Sequence, residues 1–201
     1  MTDDAKPEAD SAGGGIVRFV VEQRVSRFTV QAFAGGVLSA IGHDPAFVAR
    51  DYIGEIQCNP ETGEGASLKL SIKAASLQLN DDMSSKDKKT IEETIQTEVL
   101  ESAKFPDIVY EATAADTTVK KTGDGSFDVT LNGSLTLHGA TRKLPISAKV
   151  NAGPQMLKTF GEFAIRQSEY HIKPVSVAGG SLKVKDELKC VFDLVARPAT
   201  N

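Results

Sequence analysis

Apolar and polar residues alternate one for one through most of this chain, the pattern of strands that bury a single face. In Phe127-Asp128-Val129-Thr130-Leu131-Asn132-Gly133-Ser134-Leu135-Thr136-Leu137 the odd positions are apolar or glycine and the even ones polar. Residues 182–194 do the reverse. There Leu182, Val184, Leu188, Cys190, Phe192 and Leu194 share one face, interrupted by Asp186. Arg27–Phe33 and Leu68–Leu79 alternate less strictly. Pro60–Gly65, Thr122–Gly125 and Asn151–Pro154 separate these runs and read as hairpin connections. The result is a meander of about nine or ten strands joined mostly by short loops. Residues 35–45 are its least regular part, because Gly35-Gly36 and Pro45 interrupt any strand there.

One segment departs from period two. Between Ser84 and Ser102, Ile91, Ile95 and Val99 recur every four residues with Leu100 beside them, among Lys, Glu, Thr and Gln. That spacing predicts an amphipathic helix with a narrow apolar stripe. Ser84 or Ser85 is a good start signal, and Thr90 and Glu93 also have capping-box spacing. The helix is expected to end before Pro106. At ~1.5 Å per residue it spans about 25–28 Å, enough to lie across the mouth or flank of a barrel.

A long meander leaves two exposed edges, and closing it into a barrel removes them. Eight strands leave an interior just wide enough for one small ligand. The expected fold is therefore all-β with one main helix, an antiparallel up-and-down barrel of about eight strands formed by residues 16–198. Beyond Met1, residues 1–15 lack large apolar side chains and end in three glycines, so they are expected to form a disordered acidic tail.

Four segments carry a family resemblance. They are TEVLESAKFPDIVYEA (97–112), LNGSLTLHGATRKLPI (131–146), FAIRQSEYHIKPVS (163–176) and SLKVKDELKCVFDLVA (181–196). In this order they resemble the helix end, the His-Gly turn with its strands, the Arg-x-Ser segment and the closing strand of the YceI-like, polyisoprenoid-binding proteins. The resemblance runs from Phe19 to Arg197. It implies an extended lipocalin-like barrel that holds an isoprenoid chain. Many members of that family are exported. This sequence instead opens on acidic and polar residues, with neither the basic nor the apolar region of a signal peptide, which predicts a cytoplasmic protein. Ile41-Gly42-His43-Asp44-Pro45, after Gly35-Gly36, looks like the mark of a variant branch.

The lumen then becomes the candidate binding site. Phe28, Val30, Leu70, Ile72, Val129, Leu131, Leu135, Ile165, Leu188 and Phe192 are the alternating apolar positions expected to point inward. Nine phenylalanines and no tryptophan suit a smooth apolar pocket. His43 is expected as a polar handle on the ligand, and Arg166 as a contact for a phosphate or quinone oxygen of a head group. The partner implied is an isoprenoid or similar hydrophobic small molecule, carried or buffered by the barrel. No cofactor is expected.

Composition removes other classes. Of the net charge of −4, −3 resides in residues 1–15, where four acids outnumber Lys6. The body is thus close to neutral and lacks the basic face that phosphate backbones require, so no nucleic acid is expected. No apolar run approaches the ~18–20 residues of a transmembrane helix. Lys86, Lys88 and Lys89 at the helix start are a candidate for transient contact with an anionic membrane during ligand exchange. The sequence leaves the oligomeric state open, a homodimer among the outcomes.

Catalytic chemistry finds few candidates. His43, His138 and His171 lie in no local metal-ligand motif, so no metal site is expected, and His43 and His138 read as turn residues. No Gly-x-Ser-x-Gly elbow is present. Cys190 falls on an apolar face, where burial blunts a thiol, while Cys58 precedes a turn and is expected to be more exposed. Neither is expected in a disulfide. The protein is therefore read as a binding protein, not an enzyme. Two rivals remain: a barrel filled by its own side chains that acts as a stress-response or protein-interaction module, and a small hydrolase using His43, Asp44 and His138.

Overall fold

Where polar and apolar residues alternate, burial alternates with them. Along Ser126–Leu137, Phe127, Val129, Leu131, Leu135 and Leu137 are buried, while Asp128 and Asn132 are exposed. A computed structural model describes residues 15–35, 44–82, 84–177 and 182–199. The acidic stretch 1–14 and His43 lie outside the described residues.

In chain order the first strands are β1 (Val17–Val21), β2 (Arg27–Gln31), β3 (Ala34–Gly35), β4 (Ala46–Ala49), β5 (Tyr52–Cys58), β6 (Ser67–Lys73) and β7 (Leu77–Leu79). Helix α1 (Ser85–Thr94) follows. Then come β8 (Asp107–Ala112), β9 (Thr117–Gly123), β10 (Ser126–Leu137), β11 (Ala140–Ala152) and β12 (Leu157–Arg166). The chain ends with β13 (Ser176–Val177), β14 (Leu182–Val184) and β15 (Glu187–Pro198).

Eight strands form a closed antiparallel ring in the order β1-β5-β6-β8-β10-β11-β12-β15, completed by pairing of Phe19 with Pro198 and Val21 with Ala196. Three of them continue past a kink into a second tier. The kinks are a 3-10 turn at Gln23–Val25, the corner at Arg50-Asp51 and a 3-10 turn at Ala74–Ser76. Beyond them β2, β4 and β7 extend the sheet from the other half of β15. Short strands β13, β14 and β3 form a separate small sheet. Kinks explain why the segments outnumber the nine or ten read from the sequence. Leu68–Leu79 is two strands, and Arg27–Phe33 ends at Gln31.

Asp186 is where the face of residues 182–194 breaks. Its carboxylate accepts from the Ser168 amide at 2.8 Å and the Ser168 hydroxyl at 2.6 Å, and its carbonyl accepts from Gln167 N. A side chain committed to those bonds ends one strand and starts another.

α1 closes the side of the second tier that the sheet leaves open. Ser84 is its cap, accepting from Asp87 N at 3.1 Å. Beyond Thr94 the backbone widens into a π-turn over Ile95–Val99, with Leu100 N bonded to Ile95 O at 2.8 Å. The extra residue in that turn brings both Val99 and Leu100 into the core. Glu92 accepts from Leu79 N at 2.9 Å, tying the helix to the edge strand β7.

Between Leu131, which pairs with β9, and Ser134, which pairs with β8, β10 has no partner strand on that side. The Tyr110 hydroxyl takes the vacant place. It accepts from Gly133 N at 3.1 Å and lies 3.0 Å from the carbonyl oxygens of Leu131 and Leu144, to one of which it donates.

Candidate ligand-binding cavity

The ring and its second tier enclose a cavity of about 540 Å³. All ten apolar positions read from the alternation, from Phe28 to Phe192, stand in its wall. A barrel strand has one inward and one outward face, so period two maps directly onto lumen and solvent. Residues that the alternation did not single out complete the wall, among them Ile91, Ile95 and Leu100 of the helical segment. The wall is almost wholly hydrocarbon. Tyr110 belongs to it, but its hydroxyl is occupied within the sheet.

Two of the wall's polar residues sit together in the fold. Gln167, only 4% exposed, and Lys183 on β14 are both part of the wall. Thr90 and Lys183 are the exposed wall residues among those described, so the lumen meets solvent where α1 and β14 form its boundary. Sequence reading missed both Gln167 and Lys183. Gln167 follows inward-facing Ile165 by two residues, a signal that was present. Lys183 lies outside the main sheet, where no parity reaches it.

Arg166 is corrected by the same parity. It is exposed and absent from the wall, because it falls between inward Ile165 and inward Gln167. The Arg-x-Ser segment instead secures the β14–β15 corner. Bonds from the Ser168 hydroxyl and amide hold the Asp186 carboxyl below its ordinary range, with a smaller contribution from Arg166.

Cys58 also differs from expectation, being buried at 5% exposure. Both thiols are free and both border the lumen. Burial pushes Cys58 up to about 11 and Cys190 up to about 12, which leaves little nucleophilic thiolate near neutral pH. Among the described residues no three His, Cys, Asp or Glu side chains come together as metal ligands. His171 is an exposed cap residue with φ of 61°. Lys89 approaches Glu93 one helical turn on, at 3.7 Å.

His138 holds a turn. With Gly139 it makes the two-residue link between β10 and β11, both at positive φ (50° and 74°). Its Nε2 lies 2.9 Å from Glu101 Oε2 and its Nδ1 3.2 Å from Tyr170 O, while the ring packs on Phe105 at 4.4 Å between centroids. The imidazole thus joins the helix exit, the hairpin and the 3-10 turn Gln167–Tyr170. His138→Ala is expected to cost about 2 kcal/mol and lower Tm by about 4–8 °C. Thermal unfolding checks this, and an unchanged Tm would show that the three elements dock without it.

The sequence matches the YceI-like domain over residues 21–196. The chain belongs to the YceI-like family. Solved structures share the fold. Burkholderia cenocepacia BcnA superposes with a TM-score of 0.67 at 17% identity, covering 90% of this chain and 99% of its own. A polyisoprenoid binding domain from Saccharophagus degradans, implicated in plant cell wall breakdown, gives a TM-score of 0.64 at 12% identity, covering 91% and 99%. The Campylobacter jejuni YceI protein gives 0.57 at 17% identity, covering 76% and 84%. No curated protein matches the sequence. Among the described residues no helix of this YceI-like protein is long and apolar enough to cross a membrane.

Proposed function

We propose that this YceI-like protein binds a long apolar lipid, an isoprenoid or a quinone with such a tail, and acts as its carrier or buffer. The observation that carries the reading is the size and chemistry of the lumen. A cavity of roughly 150 Å³ lined by hydrocarbon holds one benzene ring. The 540 Å³ here is more than three times that, room for about twenty carbons or three to four isoprene units. At about 0.8 kcal/mol per buried methylene, such a chain gains roughly 12–16 kcal/mol before association and ordering remove ~4–15 of it. Micromolar or tighter binding then needs no charged contact. The S. degradans neighbour's description as polyisoprenoid-binding supports the same class. The role is binding and not catalysis, in keeping with a hydrocarbon wall and two thiols held protonated.

Organic extraction of the purified protein followed by mass spectrometry tests this. A stoichiometric isoprenoid or quinone is the expected result. A clean extract, with no retention of added farnesol or a short-chain ubiquinone, would sink the carrier reading in favour of a ligand-free interaction module.

A further inference from the structure

Among the described residues three that are not glycine hold a positive φ, Glu101 (44°), His138 (50°) and His171 (61°), and all three meet at one contact. The His138 ring reaches Glu101 through Nε2, and its Nδ1 faces the carbonyl oxygen of Tyr170, the residue before His171. Residues with a Cβ seldom adopt that backbone, and where they do their surroundings hold them in it. Phe105 encloses the contact from the helix side. Its ring packs on His138, and a Cβ on Gly139 would come within 2.6 Å of it. The imidazole is left only 10% exposed.

Both ring nitrogens thus face acceptors, one a carboxylate and the other a peptide oxygen. An imidazolium donates from both, whereas a neutral imidazole has one N–H and turns a lone pair towards the second oxygen. Each segment in the contact also borders the lumen. Leu100 precedes Glu101, Leu137 precedes His138, and Gln167 and Ile172 lie on either side of Tyr170, all four in the cavity wall. The charged and titratable groups around the ring are Glu101 and Lys104 from the helix exit, Arg142 from β11, and Glu169, Tyr170 and His171 from the 3-10 turn and its cap. Lys104 Nζ stands over the Phe105 ring at 4.8 Å, and Arg142 Nε donates to Glu169 O at 3.2 Å. Burial pushes the Tyr170 phenol up. Of these side-chain types imidazole is the one that ordinarily changes charge between about pH 5 and 8.

We propose that the His138 contact is a pH-sensitive latch on the lumen. Protonated, the ring ties the helix exit to the 3-10 turn and the ligand is retained. Neutral, it satisfies one acceptor only, and the helix exit with its wall residues Val99 and Leu100 loosens. The left-handed backbone at Glu101 and His138 favours release once the bond between them is gone. Holding is therefore strongest on the acid side, as long as Glu101 carries its charge, and falls as the pH rises and the ring loses its proton. This rests on the lumen-binding reading above and adds the condition under which the ligand leaves.

The test follows dissociation of radiolabelled farnesol from the full chain at about pH 5.5 and about pH 8.5, on either side of the imidazole range. Farnesol has no group that titrates there, so any change belongs to the protein. Wild type is expected to release it about tenfold more slowly at the acid pH. Glu101→Gln supplies an amide that can donate or accept and so pairs with either form of the ring, which should bring the two rates within about twofold. His138→Asn suits the left-handed backbone and should release fast at both. Should that variant fold poorly, Glu101→Gln alone decides. His43→Asn and His171→Asn should keep the tenfold ratio of wild type, to within about twofold. No pH dependence in wild type, or one that survives in Glu101→Gln, overturns the latch while leaving lumen binding intact. Its loss in His43→Asn or His171→Asn would assign the effect to that imidazole and overturn the latch as well. If farnesol binds at neither pH, lumen binding itself fails and the latch fails with it.

Discussion

Ala148→Trp is expected to abolish lipid retention while leaving the barrel folded. Ala148 sits on β11 between Val129 and Gly161, buried and in the cavity wall. An indole placed there projects about nine atoms into the lumen. If it displaces about five methylenes' worth of ligand, the loss is roughly 4 kcal/mol, or about a thousandfold in affinity. Filling an apolar cavity restores packing contacts, so Tm should hold or rise. The adjacent Lys149 is the control. Its side chain is 78% exposed and reaches Asp128 at 3.1 Å, so Lys149→Trp adds the same indole outside the barrel. Retention of farnesol by both variants is the measurement. Undiminished binding by Ala148→Trp would place the ligand elsewhere, and equal loss in both would trace the effect to the fold.

Gly133→Val should be the most damaging single change to stability. A Cβ there would lie 2.7 Å from the Tyr110 ring carbon and hydroxyl, and closer still to the Glu111 carbonyl oxygen. Backbone cannot yield as a flexible side chain does. Tyr110 must therefore move, and with it the bonds that replace the missing partner strand. Overpacking of about 1–3 kcal/mol and a buried unpaired group of about 1–3 combine to about 4. That is a large part of the ~5–15 kcal/mol holding a domain together. Tm should fall by about 8–16 °C. Tyr110→Phe loses only the hydroxyl and should show about half of that. Thermal melts of both variants decide the matter, and a Gly133→Val variant as stable as wild type would mean that β8 and β10 separate freely at this point.

How these residues were legible differs from case to case. Val129, Leu131 and Leu135 could be read as lumen positions because a regular strand carries its parity from end to end. Arg166 was misread because its type drew attention to a head group while its parity, one step from Ile165, pointed outward. Cys58 ends β5 in register with Tyr52, Gly54 and Ile56, yet the turn sequence after it made it look exposed. Its burial comes from β1, which pairs Val17 with Cys58 from a distant part of the chain. His138 was recognised as a turn residue, but Glu101, Phe105 and Tyr170 around it come from three other segments.

The one-dimensional pattern by itself determined the main strand runs, the helix, the barrel and the inward face of each regular strand. These follow from local geometry, since side chains on a strand alternate and an amphipathic helix repeats every three to four residues. Only the tertiary structure decided where parity resets. Each 3-10 turn and the Asp186 corner breaks the count, so Lys183, beyond the corner, could be placed at the lumen only once the segments were docked. The cavity itself belongs to that second kind. Its volume is what remains when the space within a ring of eight paired strands is reduced by the side chains pointing into it, and no strand carries that difference alone.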